Sequence, residues 1–74
     1  MKQTYGEKAV GLSFNPTNDS AVDKCKRTFA EAIDQLNNLR NQTESQEVKR
    51  MCSVAITEAQ TTQMWAIKAI TYKD

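Results

Sequence analysis

The chain has 74 residues, 39% of them hydrophobic and 26% charged, with a net charge of +1, two cysteines and no histidine. A chain this short makes one small domain whose core alone contributes only a few kcal/mol of net stability, so a disulfide, a metal or self-association must add to it. Without histidine the two cysteines build no zinc site of common type, and acid–base catalysis lacks its usual residue. Near-neutral charge argues against a polyanion coat or a membrane surface as partner.

Met1-Lys2-Gln3-Thr4 leads into Glu7 and Lys8 rather than into an apolar run. No stretch approaches the ~20 apolar residues of a membrane span. No signal peptide is expected, and the expected location is cytoplasmic.

Residues 1–17 read as an arm. Gly6, Gly11 and Pro16 recur every five residues, and Tyr5, Ala9, Val10, Leu12 and Phe14 between them fit no period. Glu7 to Val10 has room for a single helical turn. Pro16 disfavours the α region for Asn15, which leaves Phe14 a bulky aromatic outside any helix. Its ordinary role there is a staple packed onto the rest of the fold.

Thr17-Asn18-Asp19-Ser20 is a cluster of capping residues, and Ser20 with Asp23 approximates a capping box. A first helix is expected over about 19–39. Val22, Cys25, Phe29, Ala32, Leu36 and Leu39 form a heptad stripe on it, widened by Ile33. Asn37-Asn38 weakens the helix and Arg40 to Thr43 is polar, so the turn is expected at 40–44.

Thr43 and Gln46 suggest a second capping box. A long helix is expected over about 44–72, with no Gly or Pro in it. Val48, Cys52, Ala55, Ala59, Thr62, Ala66 and Ala69 form its stripe, Met51, Ile56, Ile67 and Ile70 flank it, and Met64 and Trp65 fall towards the far side. A short connection makes the two helices antiparallel neighbours. The expected fold is all-α: a single helical hairpin domain over 1–74 with an N-terminal arm. Cys25 and Cys52 lie on the apolar stripes and are expected as reduced core thiols. The long helix is apolar on more than one side and needs more neighbours than this chain supplies, so further copies of the chain are the expected partners.

An enzyme is hard to build from these residues. Cys25 or Ser53 as nucleophile would need Lys, Asp or Glu as its base, and Asp23, Asp34 and Glu58 sit at positions expected to face water. Gly6 and Gly11 are too far apart for a phosphate loop and introduce no βα unit. No carboxylate set has metal-ligand spacing, and neither metal nor cofactor is expected.

Local charge is more informative. Lys24, Lys26 and Arg27 crowd the first two turns of the first helix, against the preference of a helix N-terminus for anions. The ordinary explanation is a solvated basic face. The sharper one is an anion site beside the aromatic arm, suited to a phosphate with a base attached. Lys68 and Lys73 return to the same end of an antiparallel hairpin. Thr28, one turn on from Lys24, offers a hydroxyl.

Glu7-Lys8-Ala9-Val10-Gly11, Phe14-Asn15-Pro16, Val22-Asp23-Lys24-Cys25-Lys26, Ala30-Glu31-Ala32-Ile33-Asp34 and the C-terminal Gln63 to Ile70 together resemble a family of small phage hairpin proteins. These proteins antagonise CBASS immunity by sponging its cyclic oligonucleotide signals, and the hairpin is shared with anti-Thoeris sponges. The resemblance implies a homohexamer acting in the host cytoplasm. It implies cyclic dinucleotide binding by an arm aromatic and a first-helix lysine, which fall on Phe14, with Asn15 beside it, and Lys26; Tyr5 is the alternative aromatic. It also implies a cyclic trinucleotide pocket made by a Thr and a basic residue, here Thr28 and Lys68. The family has Arg at the last position, and Lys replaces a bidentate phosphate fork with a point charge.

The expected function is sequestration of cyclic dinucleotides such as cyclic GMP-AMP, and in the second pocket of cyclic trinucleotides, without cleavage. Neither a membrane nor DNA or RNA is expected as a partner. Two other functions fit the residues. One is a homo-oligomeric interaction module that binds a host protein through its alanine and Met64-Trp65 faces, and the other is a weak nucleic-acid binder using Lys24, Lys26 and Arg27.

Overall fold

The computed structural model describes residues 2–12 and 20–73. Among them are three helices and no strand: α1 over Tyr5–Ala9, α2 over Ser20–Gln42 and α3 over Gln46–Thr71. Both α1 and α3 pack along α2. Phe14, Asn15 and Pro16 lie outside the described residues.

The arm holds more helix than its glycines suggest. Thr4 accepts from the Glu7 N–H while the Glu7 carboxylate accepts from the Thr4 N–H, a reciprocal cap that starts α1 two residues before the turn expected at Glu7. The helix ends in a Schellman motif. Gly11 takes φ +63°, its N–H donates to the Lys8 carbonyl, and the Leu12 N–H donates to the Glu7 carbonyl. Gly6, unpromising in a helix, is required by packing: a Cβ there would collide with the carbonyl of Ala30. Its N–H, free in the first turn of α1, donates to Asp34 Oδ1 at 2.7 Å. Asp34, expected to face water, therefore ties α1 to α2.

The expected cap of α3 is displaced, and Thr17, Asn18 and Asp19 of the cap cluster before α2 lie outside the described residues. Ser20 is already the first residue of α2. For α3 the cap is Ser45, whose hydroxyl accepts from the Val48 N–H, while Thr43 accepts only from the Ser45 N–H. Asn37-Asn38 does not stop α2, which runs on to Gln42. There the Arg40 guanidinium donates to Asn37 Oδ1 and to Ser53 Oγ, joining α2 to α3 at the turn.

The buried stripes are rotated by about one residue from the expected ones. On α2 the buried positions are Val22, Lys26, Ala30 and Ile33, with Phe29 and Leu36 half-buried, whereas Ala32 and Leu39 are exposed. On α3 they are Cys52, Ile56 and Gln63, while Thr62 and Ala69 face solvent. The rotation follows from α1, which claims a second side of α2 and draws Ala30 and Ile33 to the centre. Val10, Ala30, Ile33 and Ile56 form the core, and Leu12 and Ala59 pack on it. Both cysteines are free thiols, Cys52 buried and Cys25 half-buried.

The described chain is a slab with principal extents of 46 × 30 × 12 Å. Twelve ångströms is about one helix diameter, so the helices lie in a single layer. Domains normally bury their apolar faces between two layers. Here Met51, Val54, Met64, Trp65 and Tyr72 remain exposed.

Candidate functional site

The site is built where α1 ends against the first turns of α2. The Schellman turn aims the Gly11 carbonyl at α2, and Lys26 Nζ donates to it at 3.0 Å. Lys26 is only 5% exposed. A lysine so enclosed needs partners for its charge, and the last carbonyls of a helix suit a cation. On the other side Gln60 Nε2 of α3 donates to the Ala9 carbonyl at 3.3 Å. Two side chains, one from each long helix, thus hold the C-terminal end of α1.

Around this point the basic residues have different fates. Arg27 is exposed and paired with Asp23 at 2.9 Å, a contact whose hydrogen bond and charge raise the guanidinium further above its ordinary range. Lys24 is exposed. The expected basic face therefore divides into one buried, anchored cation, one ion-paired cation and one exposed cation. Thr28 is exposed and its hydroxyl donates back to the Lys24 carbonyl at 3.0 Å.

The other expected binding residues lie elsewhere. Tyr5 stands at the opposite end of α1, 5.4 Å from the Arg40 guanidinium. Arg40 is fourteen residues beyond Lys26 on α2, about 21 Å along a helix axis, so one chain does not bring Tyr5 and Lys26 together. Lys68 is exposed on α3 with its ammonium 5.3 Å from the centre of the Trp65 ring. No hydrogen bond or ion pair joins Thr28 to Lys68, although the antiparallel hairpin puts both in the half away from its turn. Among the described residues no group of three or more His, Cys, Asp or Glu is placed to hold a metal.

Gln60 and Gly11 were missed by sequence reasoning. Gly11 had a usable signal, a glycine just past a short amphipathic stretch begun by Thr-x-x-Glu. Gln60 had none, since nothing in the sequence indicates that a polar residue of α3 meets the arm.

The fold and site thus define a class: a one-layer helical hairpin whose N-terminal helix is held against it by a buried lysine. The chain belongs to the Acb2/Tad1 hairpin-domain family, whose model matches residues 7–71. This is an anti-CBASS and anti-Thoeris sponge family. No curated protein and no solved structure matches the chain. Among the described residues no helix is long and apolar enough to cross a membrane.

Proposed function

We propose that this protein is a phage immune-evasion sponge that sequesters cyclic dinucleotides, cyclic GMP-AMP among them, inside the infected host cell and releases them intact. Family membership over residues 7–71 is the observation that carries this reading. Lys26 holds the ligand phosphate, with Phe14 and Asn15 of the arm on the base. Tyr5 is a contributor only if it comes from another copy, because within one chain it lies too far along α2.

The physics of the ligand supports an assembly. A cyclic dinucleotide has two phosphates, two bases and approximate two-fold symmetry, so one subunit supplies half a site and a pocket across a two-fold presents Lys26 twice. Base stacking on an aromatic contributes about 1 to 3 kcal/mol, and each lysine adds a charge-assisted bond. A cyclic trinucleotide suits a three-fold axis, where Thr28 and Lys68 recur three times. A homohexamer with both kinds of axis accommodates both ligands. The slab shape supports self-association, since a single layer leaves apolar side chains uncovered.

The test is to saturate the protein with cyclic GMP-AMP, remove free ligand, denature by heat and chromatograph what is released. Recovery of unmodified cyclic GMP-AMP from the wild type, with loss of retention by Lys26→Ala, is the expected result. Linear or hydrolysed nucleotide in the released fraction would replace the sponge with an enzyme.

A further inference from the structure

The two long helices hold α1 in different ways. At its start the Gly6 N–H donates to Asp34 Oδ1 at 2.7 Å, and just past its end Lys26 Nζ donates to the Gly11 carbonyl at 3.0 Å. Both side chains belong to α2, so α1 runs antiparallel to that helix with a tie near each end. Asp34 and Lys26 are eight residues apart, about 12 Å along the axis of α2. Two points fix a line and leave rotation about it. A roll of α1 around that line breaks neither bond.

The third point lies off the line, on α3. Gln60 Nε2 donates to the Ala9 carbonyl at 3.3 Å, across 51 residues of sequence. That carbonyl is one of the acceptors a helix leaves open at its C-terminus. Its neighbours are satisfied locally: the Gly6 carbonyl accepts from the Val10 N–H, that of Glu7 from Leu12 and that of Lys8 from Gly11. Ala9 takes its donor from the far helix instead. Val10 is buried with Ile56 and also resists a roll, but apolar contact has no direction and does not aim a carbonyl. A hydrogen bond does, because it weakens steeply as its angle closes.

Ala9 and Gly11 belong to one tight turn, so fixing the first carbonyl aims the second. The Gly11 carbonyl in turn holds the ammonium of Lys26, which at 5% exposure has little room to follow a displaced anchor. Phe14 follows Gly11 by three residues, at most about 11 Å of chain. Both groups assigned to the dinucleotide therefore take their place from the same turn. Gln60 itself is half-buried, with its amide turned to the backbone.

We infer that Gln60 is a positioning residue for cyclic dinucleotide binding: it fixes the roll of α1 and, through the turn at Gly11, the placement of the Lys26 ammonium relative to the aromatic arm. This role rests on the dinucleotide reading of Lys26. It makes α3, which supplies neither group, part of the grip.

Gln60→Met keeps the length of the side chain and loses the donor, and Gln60→Glu keeps the shape but sets a carboxylate against a carbonyl oxygen. Each is expected to weaken cyclic GMP-AMP binding roughly ten-fold or more, since a lysine and an arm must then be ordered by the ligand. The change should fall on the dissociation rate, with association nearly unaltered. Without ligand, amide exchange at Gly11 and Leu12 should rise in both variants, while the amides of α2 and α3 keep wild-type rates. Ser45→Ala is the control for stability, because it loosens the first turn of α3 at the other end of the hairpin. It should lower the melting temperature and leave the dissociation rate unchanged. Wild-type affinity in Gln60→Met and Gln60→Glu, unchanged exchange at Gly11 and Leu12, or an equally faster dissociation in Ser45→Ala would each overturn the role while the wild type still binds. A folded wild type that retains no cyclic GMP-AMP overturns the dinucleotide reading, and the role with it.

Discussion

The Lys26 ammonium donates to the Gly11 carbonyl at 3.0 Å, so the lysine assigned to the ligand phosphate is also the tie that holds the end of α1 to α2. The bond orients the ammonium at the end of α1. The tie fixes where the lysine sits, and under the proposed function this pre-ordering lowers the cost of binding a phosphate there.

Lys26→Met is therefore expected to act twice. The Gly11 carbonyl loses a charged donor in a site where the lysine is nearly fully buried, a loss of about 1 to 3 kcal/mol in stability. Urea denaturation measures this, and calorimetry measures the accompanying loss of cyclic dinucleotide affinity. Unchanged stability would mean that the Gly11 contact contributes nothing to the fold.

Gly6→Ala tests the packing of α1. The added methyl has no room against the Ala30 carbonyl, and the Asp34 bond to the Gly6 N–H cannot survive the displacement. A loss of about 2 to 4 kcal/mol is expected, from overpacking together with the broken bond. Amide exchange over residues 5–12 should rise towards that of a free segment. Full protection of these amides in the variant would show that α1 tolerates a side chain there.

The first turn of α3 distinguishes two candidate caps. Ser45→Ala removes the acceptor of the Val48 N–H and should cost about 1 kcal/mol. Thr43→Ala removes only the acceptor of the Ser45 N–H and should cost less. Thermal melts of the two variants check the order.

Much of the fold was legible in the residues. Heptad spacing of apolar side chains and the polar break at 40–44 gave two long antiparallel helices, because helix periodicity is a local property. What failed was the choice of face by one residue and the identity of the α3 cap. The stripe through Cys25, Phe29 and Ala32 is as regular as the one through Lys26, Ala30 and Ile33. The latter is buried because α1 docks beside it, and that docking depends on the missing side chain of Gly6, which a sequence reading takes for a helix breaker. The burial of Lys26 and Gln63 was hidden for a similar reason, since polar residues are expected outside until a partner is known. Of the site, the basic cluster was visible, but its division into anchored, paired and exposed cations came only from tertiary contacts.

Salt dependence separates a pocket from a polyanion groove. A site contacting two or three phosphates should lose at most about ten- to forty-fold in affinity between 50 and 200 mM salt, whereas a nucleic-acid binder with six or more phosphate contacts loses about a thousand-fold or more. Arg27, already committed to Asp23, supports the smaller value. Tight binding of a single-stranded oligonucleotide with a steep salt slope would favour the nucleic-acid reading.

The most direct measurement is calorimetric titration of the assembled protein, its molar mass fixed by light scattering, with cyclic GMP-AMP. Nanomolar binding at about one ligand per two chains is expected, because each chain offers one Lys26 and the ligand has two phosphates. No heat and no retained ligand with a folded, assembled sample would contradict the dinucleotide pocket at Lys26.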